Sequence, residues 1–175
     1  MPDPRPHLGE PLALDLLNTR WISADGPMDL LTDVAGLRQW LADNDLTDRS
    51  PADEQTLHAL VAAREAILQV ARGESADDLN RVLDDGRIRR TLTAAGPADE
   101  VEVPQRPRLA GWLAADNLLH LLAEAPDRIK QCAHPQCVLW FYDTSKNGAR
   151  RWHSMATCGN RAKATRHYAK KTAEV

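Results

Sequence analysis

Four residues near the C-terminal end of this 175-residue chain carry its clearest chemistry. Cys132 and Cys137 are spaced C-x4-C, and His153 and Cys158 are spaced H-x4-C, with fifteen residues between the two pairs. Each pair makes a loop short enough to wrap one ion. Soft thiolates joined by an imidazole favour zinc over magnesium or calcium. The alternative is three buried free thiols, which are common in cores. Here, however, all three cysteines fall in the last 44 residues and none in the first 131. An odd number of cysteines cannot all pair as disulfides. The expected site is one structural Zn²⁺ held by Cys132, Cys137, His153 and Cys158. His134 lies inside the first loop, too close to its neighbours to complete a tetrahedron easily. His167, beyond Cys158, is the other alternative for the fourth position.

Charge is concentrated around these residues. Residues 1–130 carry 14 Lys+Arg against 23 Asp+Glu, a net of −9, while residues 131–175 carry 8 against 2, a net of +6. The whole-chain charge of −3 hides that division. A basic segment beside a metal loop suits a phosphate backbone. The candidate nucleic-acid contacts are Arg150, Arg151, Asn160, Arg161, Lys163, Arg166 and Lys170. On a helix Lys163, Arg166 and Lys170 share a face, because they stand three and four residues apart. Asn160 and Arg161 would sit at that helix's start, where backbone N–H groups favour phosphate.

Residues 152–161, WHSMATCGNR, follow the Cys132–Cys137 loop and the stretch Phe141-Tyr142-Asp143-Thr144-Ser145. Together they resemble the CGNR zinc finger, whose name-giving tetrapeptide is here Cys158 to Arg161. That finger usually ends a chain that opens with the ABATE domain, a family associated with stress-induced transcription regulation. Residues 13–19, ALDLLNT, are similar to that domain's opening motif. The resemblance implies an ABATE-like regulatory unit over 1–128 and a CGNR-type finger over 129–175. It also implies a role in regulation, without naming an effector. The family usually has cysteine where this chain has His153, and histidine is an acceptable zinc ligand.

The rest of the chain must position that module. Residues 1–10 read as an extended arm, and Leu12–Leu17 as a short strand or a first helical turn. Asp15 and Asn18 read as local caps, and Gly26-Pro27 as a loop. Apolar spacing predicts helices over 29–43, 51–72, 76–85 and 109–124, with Ser50 and Ser75 as N-caps. Arg64-Glu65 reads as part of a solvated face, with a buried ion pair as the alternative. Residues 87–93 and 100–103 read as a β-hairpin with arginines facing glutamates; an anion site at Arg87, Arg89 and Arg90 is the alternative. In the finger, residues 138–142 read as a strand, 143–148 as a turn and 150–152 as the return strand. A helix then runs from Gly159 to about Lys171. The expected fold class is α+β: a mainly helical N-terminal domain with a small hairpin, then a knuckle–hairpin–helix finger of treble-clef-like order.

These readings leave three function classes. The first is a zinc-dependent DNA-binding transcription regulator whose N-terminal domain senses a small molecule or forms a homodimer. The second is a protein-interaction module with a purely structural zinc. The third, an enzyme, is disfavoured, because four protein ligands close the metal site and no nucleophilic triad or phosphate loop is present. No apolar run is long enough for a membrane span, and the N-terminus has no apolar leader. Reduced metal-binding thiols suit the cytoplasm.

Overall fold

The computed structural model describes residues 4–163. In chain order it contains α1 (Leu12–Leu17), β1 (Arg20–Ser23), β2 (Gly26–Asp29), α2 (Val34–Asp43), α3 (Glu54–Ala71) and α4 (Asp77–Leu83). There follow β3 (Arg87–Thr93), β4 (Gly96–Glu102), α5 (Leu109–Glu124), β5 (Ile129–Gln131) and β6 (Trp140–Tyr142). The strands pair antiparallel as β1–β2, β3–β4 and β5–β6. The fold is α+β. Among the described residues no helix is long and apolar enough to cross a membrane.

The core is built on α1, α3 and α5. Leu57, Leu60 and Ile67 of α3 meet Ala114, Ala115 and Leu118 of α5 in one buried cluster. The two helices approach closely at Gly111, where an added Cβ would lie 2.9 Å from that of Ala63. A side chain there would force the helices apart. α1 has only six residues, too few to hold a helix alone. It forms because Leu14, Leu16 and Leu17 are buried between its neighbours. Tertiary burial decides what six residues of periodicity could not.

Several helix starts differ from the sequence expectation. α2 begins at Val34, not at 29: Asp33 caps it, accepting from Gly36 N at 2.9 Å, and Asp29 belongs to β2. α3 begins at Glu54, because Asp53 accepts from Thr56 N at 2.8 Å. Ser50 is not the cap; it is buried, and its hydroxyl has no partner. Aspartate is an equally good cap, and in both helices it lies closer to the apolar periodicity. The Gly26-Pro27 loop is instead a strand, turned by Ala24 and Asp25, with Pro27 opposite Ile22. The β3–β4 hairpin keeps its expected charge pairing, with Arg87 opposite Glu102, Arg89 opposite Glu100 and Arg90 opposite Asp99. Those ion pairs occupy the arginines that were the alternative anion site.

Three polar residues, Arg64 expected to be solvated and Asp15 and Asn18 expected to cap locally, instead act over long range. Arg64 is 2 % exposed, not solvated. Its Nη1 donates to Asp29 Oδ1 at 2.7 Å and to Thr19 Oγ1 at 2.8 Å, and its Nη2 donates to Asp29 Oδ2 at 2.8 Å. Asp15 accepts from Arg5 Nη1 at 2.8 Å, Trp40 Nε1 at 2.9 Å and Asn44 Nδ2 at 3.2 Å. Arg5 also donates to Asp43 at 2.9 Å, so the N-terminal arm is tied to α1 and α2.

Asn18 joins the two ends of the chain. Its Nδ2 donates to Trp140 O at 2.9 Å, and its Oδ1 accepts from Trp140 N at 2.8 Å. The amide thus satisfies both backbone groups of a buried strand residue 122 positions away. Trp140 itself packs into the helical core, so the expected division at residue 128 is crossed by shared packing. Asn18→Ala orphans one buried N–H and one buried C=O, each costing roughly 1–3 kcal/mol. The expected loss is about 2–4 kcal/mol in urea unfolding. A loss below about 0.5 kcal/mol, the level of an ordinary surface substitution, would mean that water replaces the amide.

Candidate metal centre

Strands β5 and β6 hold the first ligand loop between them. Cys132 N donates to Leu139 O at 2.9 Å, which extends the β5–β6 ladder, and Cys137 N donates to His134 O at 2.9 Å. Ala133 N donates to Arg151 O at 2.9 Å, so the second ligand segment lies against the first. The strand expected over 150–152 is absent. β6 pairs with β5 instead, Ile129 opposite Tyr142 and Gln131 opposite Trp140. Asp143 explains the difference. Its carboxylate takes Arg150 N at 2.9 Å, Ser145 N at 2.9 Å, Ser145 Oγ at 2.5 Å and Lys130 Nζ at 2.7 Å. The turn around Asn147-Gly148 therefore closes on a buried carboxylate, and Arg150 N is not available to a return ladder. Burial alone would raise the Asp143 pKa, but Lys130, Ser145 and the Arg150 N–H hold it well below the usual carboxylate range.

The second ligand loop ends in a short π-helical turn, Met155–Gly159, capped by Ser154. Cys158 thus lies within the first turn of a helix and not ahead of it. The chain remains helical from Asn160 to Lys163. Arg166, His167, Lys170 and Lys171 lie outside the described residues, as does most of the helix expected to reach Lys171.

The four expected ligands come together. One donor atom from each of Cys132, Cys137, His153 and Cys158 lies within 4.8 Å of all the others. Cys137 Sγ stands 3.5 Å from His153 Nδ1. Zn–S bonds of about 2.3 Å and Zn–N bonds of about 2.0–2.1 Å at the tetrahedral angle require an edge of about 3.5 Å there. These donors fit one structural Zn²⁺. His134 is not among them; its Nδ1 accepts from Gln136 N.

Charge and burial agree with that assignment. Burial pushes the Cys137 thiol up to about 12, and the neighbouring Cys132 and Cys158 sulfurs add to the effect. Burial, then Cys132, raises Cys158 as well. Three crowded sulfurs become thiolates only around a positive ion. Burial lowers His153 to about 4, with His7 and Arg150 adding to the shift and Glu10 opposing it. The imidazole is therefore neutral and ready to coordinate.

Residues that sequence reasoning missed surround the ligands. The His7 ring packs on the His153 ring, with centroids 4.9 Å apart. His7 Nε2 bonds Glu10 Oε1 at 2.7 Å, and Glu10 Oε2 accepts from Tyr142 N at 2.8 Å. Thr157 Oγ1 stands 3.5 Å from His153 Nε2, placed to fix the ring once Nδ1 is committed. Asp143 had a readable signal, since Asp-Thr-Ser after a strand suits an Asx turn. His7 and Glu10 gave none, because only the fold brings the N-terminal arm to the metal.

The candidate nucleic-acid contacts divide. Arg151, Asn160, Arg161 and Lys163 are exposed. Arg150 is half-buried: its Nε donates to Trp152 O at 2.9 Å, its Nη2 donates to His153 O, and its guanidinium lies 4.6 Å over the Phe141 ring. It braces the loop that presents His153. Arg151 lies 5.3 Å over the Trp152 ring.

Acid should open this centre. A folded-state pKa of about 4 against an ordinary 6.5 means that folding favours neutral His153. Its contribution is complete above pH 6.5 and is lost as the pH falls toward 4. Bound zinc competes with the proton and carries the titration lower still, so zinc, measured with a colorimetric chelator, is expected to leave only in stronger acid. His153→Ala should shift that release to higher pH; an unchanged release profile would remove His153 from the ligand set.

Two family matches cover nearly all of the chain. The CGNR zinc finger matches residues 128–171. The ABATE family, described as "Putative stress-induced transcription regulator", matches residues 10–125. A comparison with curated proteins gives no match. With more than half of its length inside the second match and the finger following directly, the chain belongs to the ABATE family and carries a C-terminal CGNR zinc finger.

Proposed function

We propose that this chain is a zinc-dependent transcription regulator that binds duplex DNA through the basic surface of its finger. The helical part would then act as the sensing or dimerising unit. One observation carries the reading: net charge +6 is gathered in residues 131–175, beside a domain of −9. Zinc on three thiolates and a neutral imidazole removes about one unit, so the finger stays basic. Exposed Lys146, Arg151 and Lys163 belong to that surface, and Arg166 and Lys170 continue the same basic stretch in sequence. Four protein donors leave no open metal position, so the zinc is structural and we propose no catalysis. Reduced thiols on zinc suit the cytoplasm.

A second reading, a finger that serves protein contact, draws on Trp140, which already packs into the helical core, and on His153, which meets His7 of the N-terminal arm. Duplex DNA binding by the zinc-loaded protein, titrated across salt, separates the two. Four or five phosphate contacts give a slope of log K on log salt of about −4. Affinity should then fall by about two orders of magnitude between ~50 and ~200 mM salt. Lys163→Glu should weaken binding to all sequences alike and flatten the slope by about one. No binding at low salt would favour the protein-contact reading.

A further inference from the structure

A cavity of about 420 Å³ opens where the β1–β2 hairpin, α3 and the finger meet. Its apolar lining includes Leu17, Trp21, Leu68 and Trp140, of which Trp21 and Trp140 are otherwise almost fully buried. Ile22, Met28 and Val138 also line it and remain 44 %, 43 % and 39 % exposed. Large apolar side chains are thus left wet around one opening, the arrangement of a small-molecule site.

The polar groups of the cavity specify charge. Asp29 is saturated: Oδ1 takes Arg64 and Leu31 N, and Oδ2 takes Arg64 and Arg20. Arg20 also pairs with Glu65. What remains is cationic. Arg64 is matched by Asp29, and its buried Nε lies 3.6 Å from Glu65, so it adds no free charge. Arg72, also lining the cavity, has no ion-pair partner among the described residues. The charge left uncompensated is about one positive unit, supplied by Arg72.

We infer that this cavity binds a small organic acid, an aromatic or aliphatic monocarboxylate whose apolar body lies among the tryptophans and whose carboxylate meets Arg72. The finger supplies part of the wall. Gln131 and Val138 line the cavity and are sequence neighbours of Cys132 and Cys137. An occupant therefore touches the loop that holds the metal. Transmission of its binding to DNA rests on the regulator reading above; occupancy of the cavity does not.

The test uses full-length zinc-loaded protein, with phenylacetate and octanoate as probes and their uncharged amides as controls. Tryptophan fluorescence and calorimetry give the affinities, and DNA affinity is measured on the same samples. Both acids should bind saturably with Kd about 1 mM or tighter, and the amides about tenfold more weakly. Arg72→Glu, at an exposed helix end, should weaken the acids about tenfold and leave the amides unchanged. Met28→Glu should weaken both. The inference is overturned if neither acid saturates by about 10 mM, ten times the weakest expected Kd. It also falls if acids and amides bind alike, or if Arg72→Glu has no effect. Acid binding without DNA binding sinks the regulator reading and leaves the cavity standing. DNA binding without acid binding does the reverse. Unchanged DNA affinity at acid saturation removes the transmission alone.

Discussion

Cys158→Ser is expected to strip zinc from the protein and unfold the metal segment. Structural zinc supplies about 10–16 kcal/mol to finger peptides, and three remaining donors do not hold a closed tetrahedral site. The consequence extends past the finger. Trp140 sits in the helical core, its backbone is bonded by Asn18, and Tyr142 N is bonded by Glu10. Losing β6 therefore exposes apolar surface and leaves Asn18 buried without partners. Helical content by circular dichroism should persist, while Tm falls by about 5–15 °C, the shift of a few kcal/mol in a chain this long. Metal content near one zinc per chain in the variant would remove Cys158 from the ligand set. Lost zinc with an unchanged Tm would mean that the finger and helices are energetically separate.

Arg64→Ala is expected to be the most damaging change in the helical part, at about 3–5 kcal/mol. It deletes both bonds to Asp29 and the bond to Thr19 at once. Burial would raise the Asp29 pKa, but the Arg64 bonds keep it below its ordinary 3.8. In the native chain the stabilisation from ionised Asp29 is full above pH 3.8 and is lost as the pH falls through the lower folded value. Without Arg64 the burial effect is opposed only by Leu31 N–H and Arg20, so acid unfolding should begin at higher pH. Arg64→Met with Asp29→Leu removes both charges and should recover a large part of the loss. Urea titrations of the two variants decide it: equal destabilisation would mean that the side chains act through packing and not as a pair.

How much was readable in advance depended on how far the partners lie apart. The metal ligands were legible because each pair is six residues long, and chain geometry alone keeps such neighbours together. The β3–β4 hairpin was legible for the same reason. Arg64 reads as solvated, and Asp15 and Asn18 as local, because their partners lie 35, 25 and 122 positions away. Nothing in a short window distinguishes a capping asparagine from one that receives a distant strand. The return strand at 150–152 failed for a further reason: Asp143 consumed the backbone donor that a ladder would have used.

The Asn18–Trp140 pair also constrains the order of events at the ribosome. A chain leaves the ribosome N-terminus first, so Asn18, at the C-terminal cap of α1, emerges lacking both partners. The helices that follow can collapse around it, but that valence stays open until the last third of the chain is made. A product truncated before β6 would hold nearly all of its helices and still carry a defect at its centre, the kind of partly folded species that quality control removes. The metal segment therefore closes the core of the helical part, and only chains synthesised through β6 carry that core without the defect.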